Sequence, residues 1–170
     1  MIYFIYDTWM DESLMLDELD WRLLELLQAD ASLTNHALAA AALCSPATAL
    51  RRVKRLREGG VIERITALVA PTAGGQGLSV ICEVALDRQG AEHQAAFEAR
   101  VVAHPAVQQC WQVSPGPDFV LVVWAPSMAA FASLTQVLFT QDANVRNVKS
   151  YFALKRCKFA PAIPKPDGKS

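Results

Sequence analysis

The chain has 170 residues, a formal net charge of −1 and an apolar share of 52%. That length holds one domain or two small ones, and that apolar share excludes a disordered chain. The near-zero total also excludes a polycationic arm, but the charge is unevenly placed. Residues 1–30 hold eight acids against Arg22, whereas residues 44–64 hold six bases against Glu58 and Glu63. Contact with a polyanion is made by one surface, so local excess matters more than the total.

Residues 1–15, MIYFIYDTWMDESLM, form an N-terminal extension. The segment has no basic n-region and meets Asp7 at once, so it is neither an export signal nor a membrane span. It packs as a short strand or helix, or the natural start is Met10 or Met15. Organised structure begins at Leu16. Asp17 is placed to cap a helix with Asp20 at N3, and Leu19, Leu23, Leu26 and Leu27 give it one apolar face. That helix ends near Ala29 and Asp30.

A second, shorter helix starts at Thr34, with Leu38 and several alanines as its packing face. Leu43 and Cys44 fill the turn after it. Ser45 caps a third helix with Pro46 at N1, where a missing N–H costs nothing. Ala49, Val53 and Leu56 recur on its inward side, while Thr48, Arg51, Arg52 and Arg55 fall outward. Gly59 and Gly60 stop it. Val61–Val69 alternates loosely and predicts a strand or a two-strand wing. The run PTAGGQG, Pro71–Gly77, is a break in composition and the best domain boundary. Residues 16–63 are thus expected to form a winged helix-turn-helix, and 64–77 a strand and hinge linker.

Residues 78–159 have their own order. Strands are predicted over Leu78–Leu86, Val107–Val113, Asp118–Trp124 and Val148–Phe159. Helices are predicted over Ala91–Ala103 and Ser127–Phe139. The sequence β-α-β-β-α-β is a split ferredoxin-like sandwich with both helices on one face of an antiparallel sheet. The other face needs cover, which a second subunit would supply. Residues 160–170 are expected to be a mobile tail.

Arg51, Arg52, Lys54, Arg55 and Arg57 place five cations in seven residues on the third helix. In a helix-turn-helix that helix enters the major groove of double-stranded DNA. Ser45 and the helix N-terminus can hold a phosphate through backbone N–H groups. Thr48 with Arg51 or Arg52 reaches base edges, since arginine's fork matches guanine and threonine's methyl touches thymine. Lys54, Arg55 and Arg57 meet phosphates or stay solvated, and Arg64 adds a backbone contact or faces water. The bland alternative is a basic helix that serves solubility alone.

Cys44, Cys82, Cys110 and Cys157 lie too far apart for a zinc or redox motif, and His36, His93 and His104 do not complete one. No metal, cofactor or catalytic residue is expected. The thiols read as free in a cytoplasmic protein.

These residues resemble the Lrp/AsnC (feast/famine) family of transcriptional regulators, over about residues 16–159. The resemblance rests on Leu16-Asp17-Glu18-Leu19-Asp20, Leu26–Asp30, Leu38-Ala39, Ser45-Pro46, Arg51–Leu56 and Gly60-Val61-Ile62. It continues at Gly116-Pro117-Asp118-Phe119 and Phe152–Lys158. It implies a homodimer that assembles to a tetramer or octamer, and an amino-acid effector held between subunits. The matching ligand positions are Trp111, Gly116, Asp118, Met128, Tyr151, Phe152 and Ala153. Asp118 accepts a ligand ammonium or closes its turn, and Met128 lines the pocket or the core. Leu43-Cys44 stands where the family has Gly-Leu, Ala37 where it has an acid, and Ser32 where a base is common. Two rivals remain. One is a sirohaem-decarboxylase-like enzyme on the same architecture, disfavoured because residues 108–124 contain no histidine. The other is a ligand-sensing partner that does not bind DNA.

Overall fold

The computed structural model describes residues 15–70, 73 and 75–166. The N-terminal extension, apart from Met15, lies outside them. The chain divides into two compact units. One is built on residues up to 67 together with those from 159 onward, and the other on residues 68–158.

The first unit holds three helices: α1 (Glu18–Ala29), α2 (Asn35–Ala41) and α3 (Pro46–Glu58). Each starts where its capping side chain predicts. Asp17 and Asp20 form a reciprocal capping box on α1, Thr34 accepts the Ala37 N–H on α2, and Ser45 accepts the Thr48 N–H on α3. Leu23, Leu38, Ala39, Ala42 and Ala49 form the core, flanked by Leu19, Leu26, Leu27, Leu33 and Val53. The alanines of α2 let the helices approach closely.

The turn between α2 and α3 is a Schellman turn. Cys44 N–H donates to Ala39 O at 2.9 Å and Leu43 N–H to Ala40 O at 3.2 Å. Its left-handed position is held by Leu43 at φ 57°, a conformation that favours glycine. The Leu43 side chain stands in solvent, so no packing offsets that strain.

The wing does not form. Residues 63–70 run in irregular, exposed backbone with no strand. An isolated strand needs a ladder partner, and none of the described residues provides one. Among the described residues the helix-turn-helix therefore has no wing, and Arg64 lies on exposed coil. Beyond 159 the chain runs along α1. The Gln28 amide donates to Ile163 O and accepts from Ile163 N–H, and Lys165 pairs with Glu18.

The second unit is the ferredoxin-like fold: β1 (Leu78–Leu86), α4 (Ala91–Val102), β2 (Val107–Gln112), β3 (Phe119–Ala125), α5 (Met128–Thr135) and β4 (Val145–Phe152). The sheet order is β2-β3-β1-β4, antiparallel throughout. Period-2 alternation sends Val80, Cys82, Val84 and Leu86 of β1 and Phe119, Leu121, Val123 and Ala125 of β3 under the helices. There they meet Phe97, Val101, Phe131, Leu134 and Leu138. Burial pushes the Cys110 thiol, with help from Glu98, up to about 11, so it stays protonated.

Two boundaries differ from the sequence reading. β4 begins at Val145 and ends at Phe152 instead of spanning 148–159. Its partner β1 pairs from Leu86↔Val145 to Val80↔Phe152, and Ala153 N–H makes the last sheet-edge bond to Ser79 O. Beyond that, the chain leaves the sheet at Leu154, one residue short of pairing with Leu78 at the start of β1. The α5 helix widens into a π-helical turn at Gln136–Thr140.

Relieving the left-handed leucine should stabilise the first unit. Leu43→Gly is expected to raise unfolding free energy by about 0.5–1 kcal/mol, the left-handed penalty less glycine's extra unfolded entropy. Urea titration of both proteins checks this, and a destabilised variant would contradict it.

Candidate DNA-reading surface and effector site

The cations of α3 do not all point outward. Arg52 turns back onto α1, where its Nη1 lies 2.6 Å from Asp17 Oδ2 and 3.1 Å from Asp20 Oδ2. Arg55 Nη2 pairs with the same Asp20 oxygen. Asp20 is fully buried, and the Nε atoms of Arg52 and Arg55 are buried without a partner among the described residues. The two guanidiniums therefore belong to the α1–α3 contact. Asp17 also accepts the Asp20 N–H at 2.9 Å, and that bond together with Arg52 holds its carboxyl below the usual carboxylate range of 3.8.

Thr48 is drawn aside as well. Its hydroxyl lies 2.8 Å from Ser45 Oγ, and Ser45 Oγ accepts the Thr48 N–H. Thus Ser45 and Thr48 complete a cap, and Arg52 and Arg55 complete a clamp. What α3 shows to solvent is a different arc, namely Ala47, Leu50, Arg51, Lys54, Arg57 and Glu58. Lys54 pairs with Glu58 at 3.7 Å, both largely exposed, and Leu50 is 62% exposed. Sequence periodicity separated inward from outward but could not see that Asp20 would claim two arginines. The signal was present in the Asp17/Asp20 pair, read as a cap only. Leu50 and Ala47 bear no charge or polar group, so the charge pattern of the sequence does not mark them as part of that surface.

The ligand positions in the second unit split between surfaces. Tyr151 and Phe152 are neighbours on β4 and must face opposite sides. Phe152 packs edge-on against Phe131 under the helices, with ring centroids 5.3 Å apart. Tyr151 faces the open side, where its hydroxyl donates to Glu83 Oε2 at 3.3 Å. Trp111 also lies on the open side, opposite Val120, and is half-exposed. Met128 begins α5 and is exposed rather than core. Ala153 closes the end of β4.

Asp118 is buried. One carboxylate oxygen accepts the Leu86 N–H at 2.7 Å, and its own N–H donates to Val84 O. It therefore closes the turn, which Gly116 enters at φ 129°. Beside that turn a shallow cavity of about 290 Å³ is lined by Glu83, Ala85, Gly116, Pro117, Arg146, Asn147 and Lys149. It carries one carboxylate and two cations, a set suited to a zwitterion. Of the expected ligand positions Gly116 lines it, whereas Trp111, Asp118, Met128 and Tyr151–Ala153 do not.

Among the described residues no cluster of three or more His, Cys, Asp or Glu side chains could hold a metal, and no helix is long and apolar enough to cross a membrane.

Residues 16–57 match the AsnC-type helix-turn-helix domain, and residues 79–163 match the Lrp/AsnC ligand binding domain. The chain is 35% identical over 145 residues to a leucine-responsive regulatory protein of Rhizobium meliloti, covering 85% of this chain and 93% of that one. It is 33% identical to an HTH-type transcriptional regulator of Haemophilus influenzae, covering 93% and 95%. Among solved structures, a transcriptional regulator of Neisseria meningitidis in complex with L-Met is similar with a TM-score of 0.81. That pair is 29% identical, covering 88% of this chain and 97% of the other.

The clamp makes two predictions. Asp20→Asn leaves two arginines at a helix contact without their carboxylate and should cost about 3 kcal/mol of unfolding free energy, the low end for a broken buried pair. Chemical denaturation checks it, and a loss under about 1 kcal/mol would contradict the clamp. The second prediction concerns acid. Asp17 has its folded pKa lowered, so its contribution is present above the unfolded value and lost as pH falls through and below about 4. Asp17→Asn should flatten the decline in stability over that window, read from melting at stepped pH.

Proposed function

The chain belongs to the Lrp/AsnC family of DNA-binding transcriptional regulators, and on that footing we propose how its surfaces share the work. The α3 helix reads the major groove with its exposed arc, in which Arg51, Lys54 and Arg57 supply charge. The observation that carries this is the division of α3 itself: two arginines are held by Asp20 while the arc beside them is left to solvent. Arg51 reaches base edges. Ser45, at the capped helix start, approaches a phosphate, and Arg64 on the exposed coil adds a backbone contact. Arg52 and Arg55 act from behind, by fixing α3 on α1.

The second unit takes an amino-acid effector and joins copies of the chain. The family match to a ligand binding domain supports the first role, and the L-Met complex of the Neisseria relative suggests the ligand's class. The zwitterion-suited cavity beside Gly116 and Asp118 fits that class. Trp111, Met128 and Tyr151 lie on surfaces where a second copy would complete a pocket, while Phe152 and Ala153 support it from the sheet. Asp118 keeps one oxygen outside the Leu86 bond for a ligand ammonium.

The open face of the sheet carries Ile81, Val120, Val122, Trp124, Trp111 and Tyr151 at paired register positions. An apolar face of this kind suits a homodimer, from which a tetramer or octamer is built. The protein acts in the cytoplasm, where DNA is, and by binding rather than by catalysis, as expected of a family of regulators.

Selection from a random DNA pool, followed by titration of a recovered site with and without L-Met and other amino acids, tests the whole reading. A selected duplex and an effector-dependent affinity are expected. Recovery of no preferred duplex would contradict it. For assembly, Ile81→Asp at the centre of the open face is expected to yield a monomer in sedimentation equilibrium where the unmodified chain is a dimer or larger. An unchanged assembly would move the interface elsewhere.

A further inference from the structure

The exposed arc of α3 contains a large aliphatic side chain that neither fold nor charge explains. Leu50 is 62% exposed and sits one turn into the helix, between Ala47 and Lys54 on the same face. It takes no part in the core of the first unit, which Leu23, Leu38, Ala39, Ala42 and Ala49 form with Val53 beside them. Thr48, the residue whose methyl would touch thymine, is half-buried and tied to Ser45. At about 100° per residue, Ala47, Leu50, Arg51 and Lys54 lie on one side of the helix while Thr48, Arg52 and Arg55 lie on its flank. In helix-turn-helix proteins the N-terminal half of the reading helix is the part that meets base edges.

We propose that Leu50 is a specificity-determining residue that reads the 5-methyl group of thymine, with Ala47 beside it and Arg51 taking the neighbouring base. The proposal rests on α3 being the DNA-reading helix. Its chemistry is complementary on both counts. The flanking Arg51, Lys54 and Arg57 draw the helix onto the phosphate backbone, and the one apolar group in the major groove is the thymine methyl. An exposed leucine at that spot gains favourable burial against a methyl and faces only polar edges at a G·C pair. The position therefore selects A·T over G·C without a hydrogen bond.

The test is a double substitution across the interface. A duplex recovered by selection with the full chain is remade with each thymine in turn replaced by deoxyuridine, which removes only the methyl group. Binding of the unmodified chain and of Leu50→Ala is then titrated on each duplex. The unmodified chain is expected to lose about fourfold affinity at one thymine per half-site, the worth of one buried methyl-sized contact. Leu50→Ala is expected to lose at least as much on the thymine duplex and to be indifferent to deoxyuridine at that position. Its affinity for non-specific DNA and its melting temperature should not change, since the side chain supports neither. Indifference of the unmodified chain to every deoxyuridine overturns the proposal, as does an Ala variant that still senses the same methyl. If the unmodified chain selects no duplex at all, the reading of α3 itself has failed.

Discussion

A carboxylate shut away from water needs a partner charge or hydrogen bonds, and Asp20 is answered by Arg52 and Arg55. The rest of the first unit depends on that requirement. Asp20 sits in the first turn of α1, its own N–H bound to Asp17, and Asp17 in turn binds Arg52. The N-terminus of α1 is thereby fastened to the middle of α3. Because the fastening uses arginines from one flank of α3, it fixes which side of that helix faces outward. The clamp holds α3 in its rotation and ties two of its cations to α1, Arg52 more fully than Arg55, which keeps part of its side chain in solvent. On the proposed reading, the positive surface offered to DNA is smaller than the sequence implies, but it is oriented.

The second unit solves a different problem with the same economy of residues. Strand alternation gives β1 and β3 one buried and one open face, while the helix side of edge strand β4 is only half-covered. Packing by α4 and α5 settles the first face and leaves the second apolar and bare. Asp118 illustrates the link to function. Its bond to Leu86 N–H fixes the start of β3 against the end of β1, and so positions Gly116 and the cavity beside it. A ligand contacting that turn would touch the end of two paired strands whose open faces are the surface suited to a second copy. On the proposed reading, effector binding and assembly are therefore neighbours in this fold.

Most of the architecture was legible because it is local. Asp17, Thr34 and Ser45 announce their helices, and alternation gives the strands, with β1 running over Leu78–Leu86 as predicted. The departure at Leu43-Cys44 was legible too, and the structure gives its meaning: a leucine is forced into the left-handed site of a Schellman turn. What sequence could not give is non-local. The wing at Val61–Val69 has apolar spacing, but no pattern within one segment reveals whether a partner strand exists. The fate of Arg52 and Arg55 depended on a carboxylate more than thirty residues away. Tyr151 and Phe152 were grouped by the family resemblance, although their opposite faces follow from period 2 alone.

Two neighbouring arginines on α3 thus have different tasks on the proposed reading, Arg51 facing DNA and Arg52 facing Asp17 and Asp20. The most direct measurement is the affinity of Arg51→Ala and Arg52→Ala for a selected duplex, each paired with its unfolding free energy. Arg51→Ala is expected to weaken specific binding by about tenfold or more with stability unchanged, whereas Arg52→Ala is expected to lose stability. Weakened specific binding with intact stability in Arg52→Ala would contradict this division.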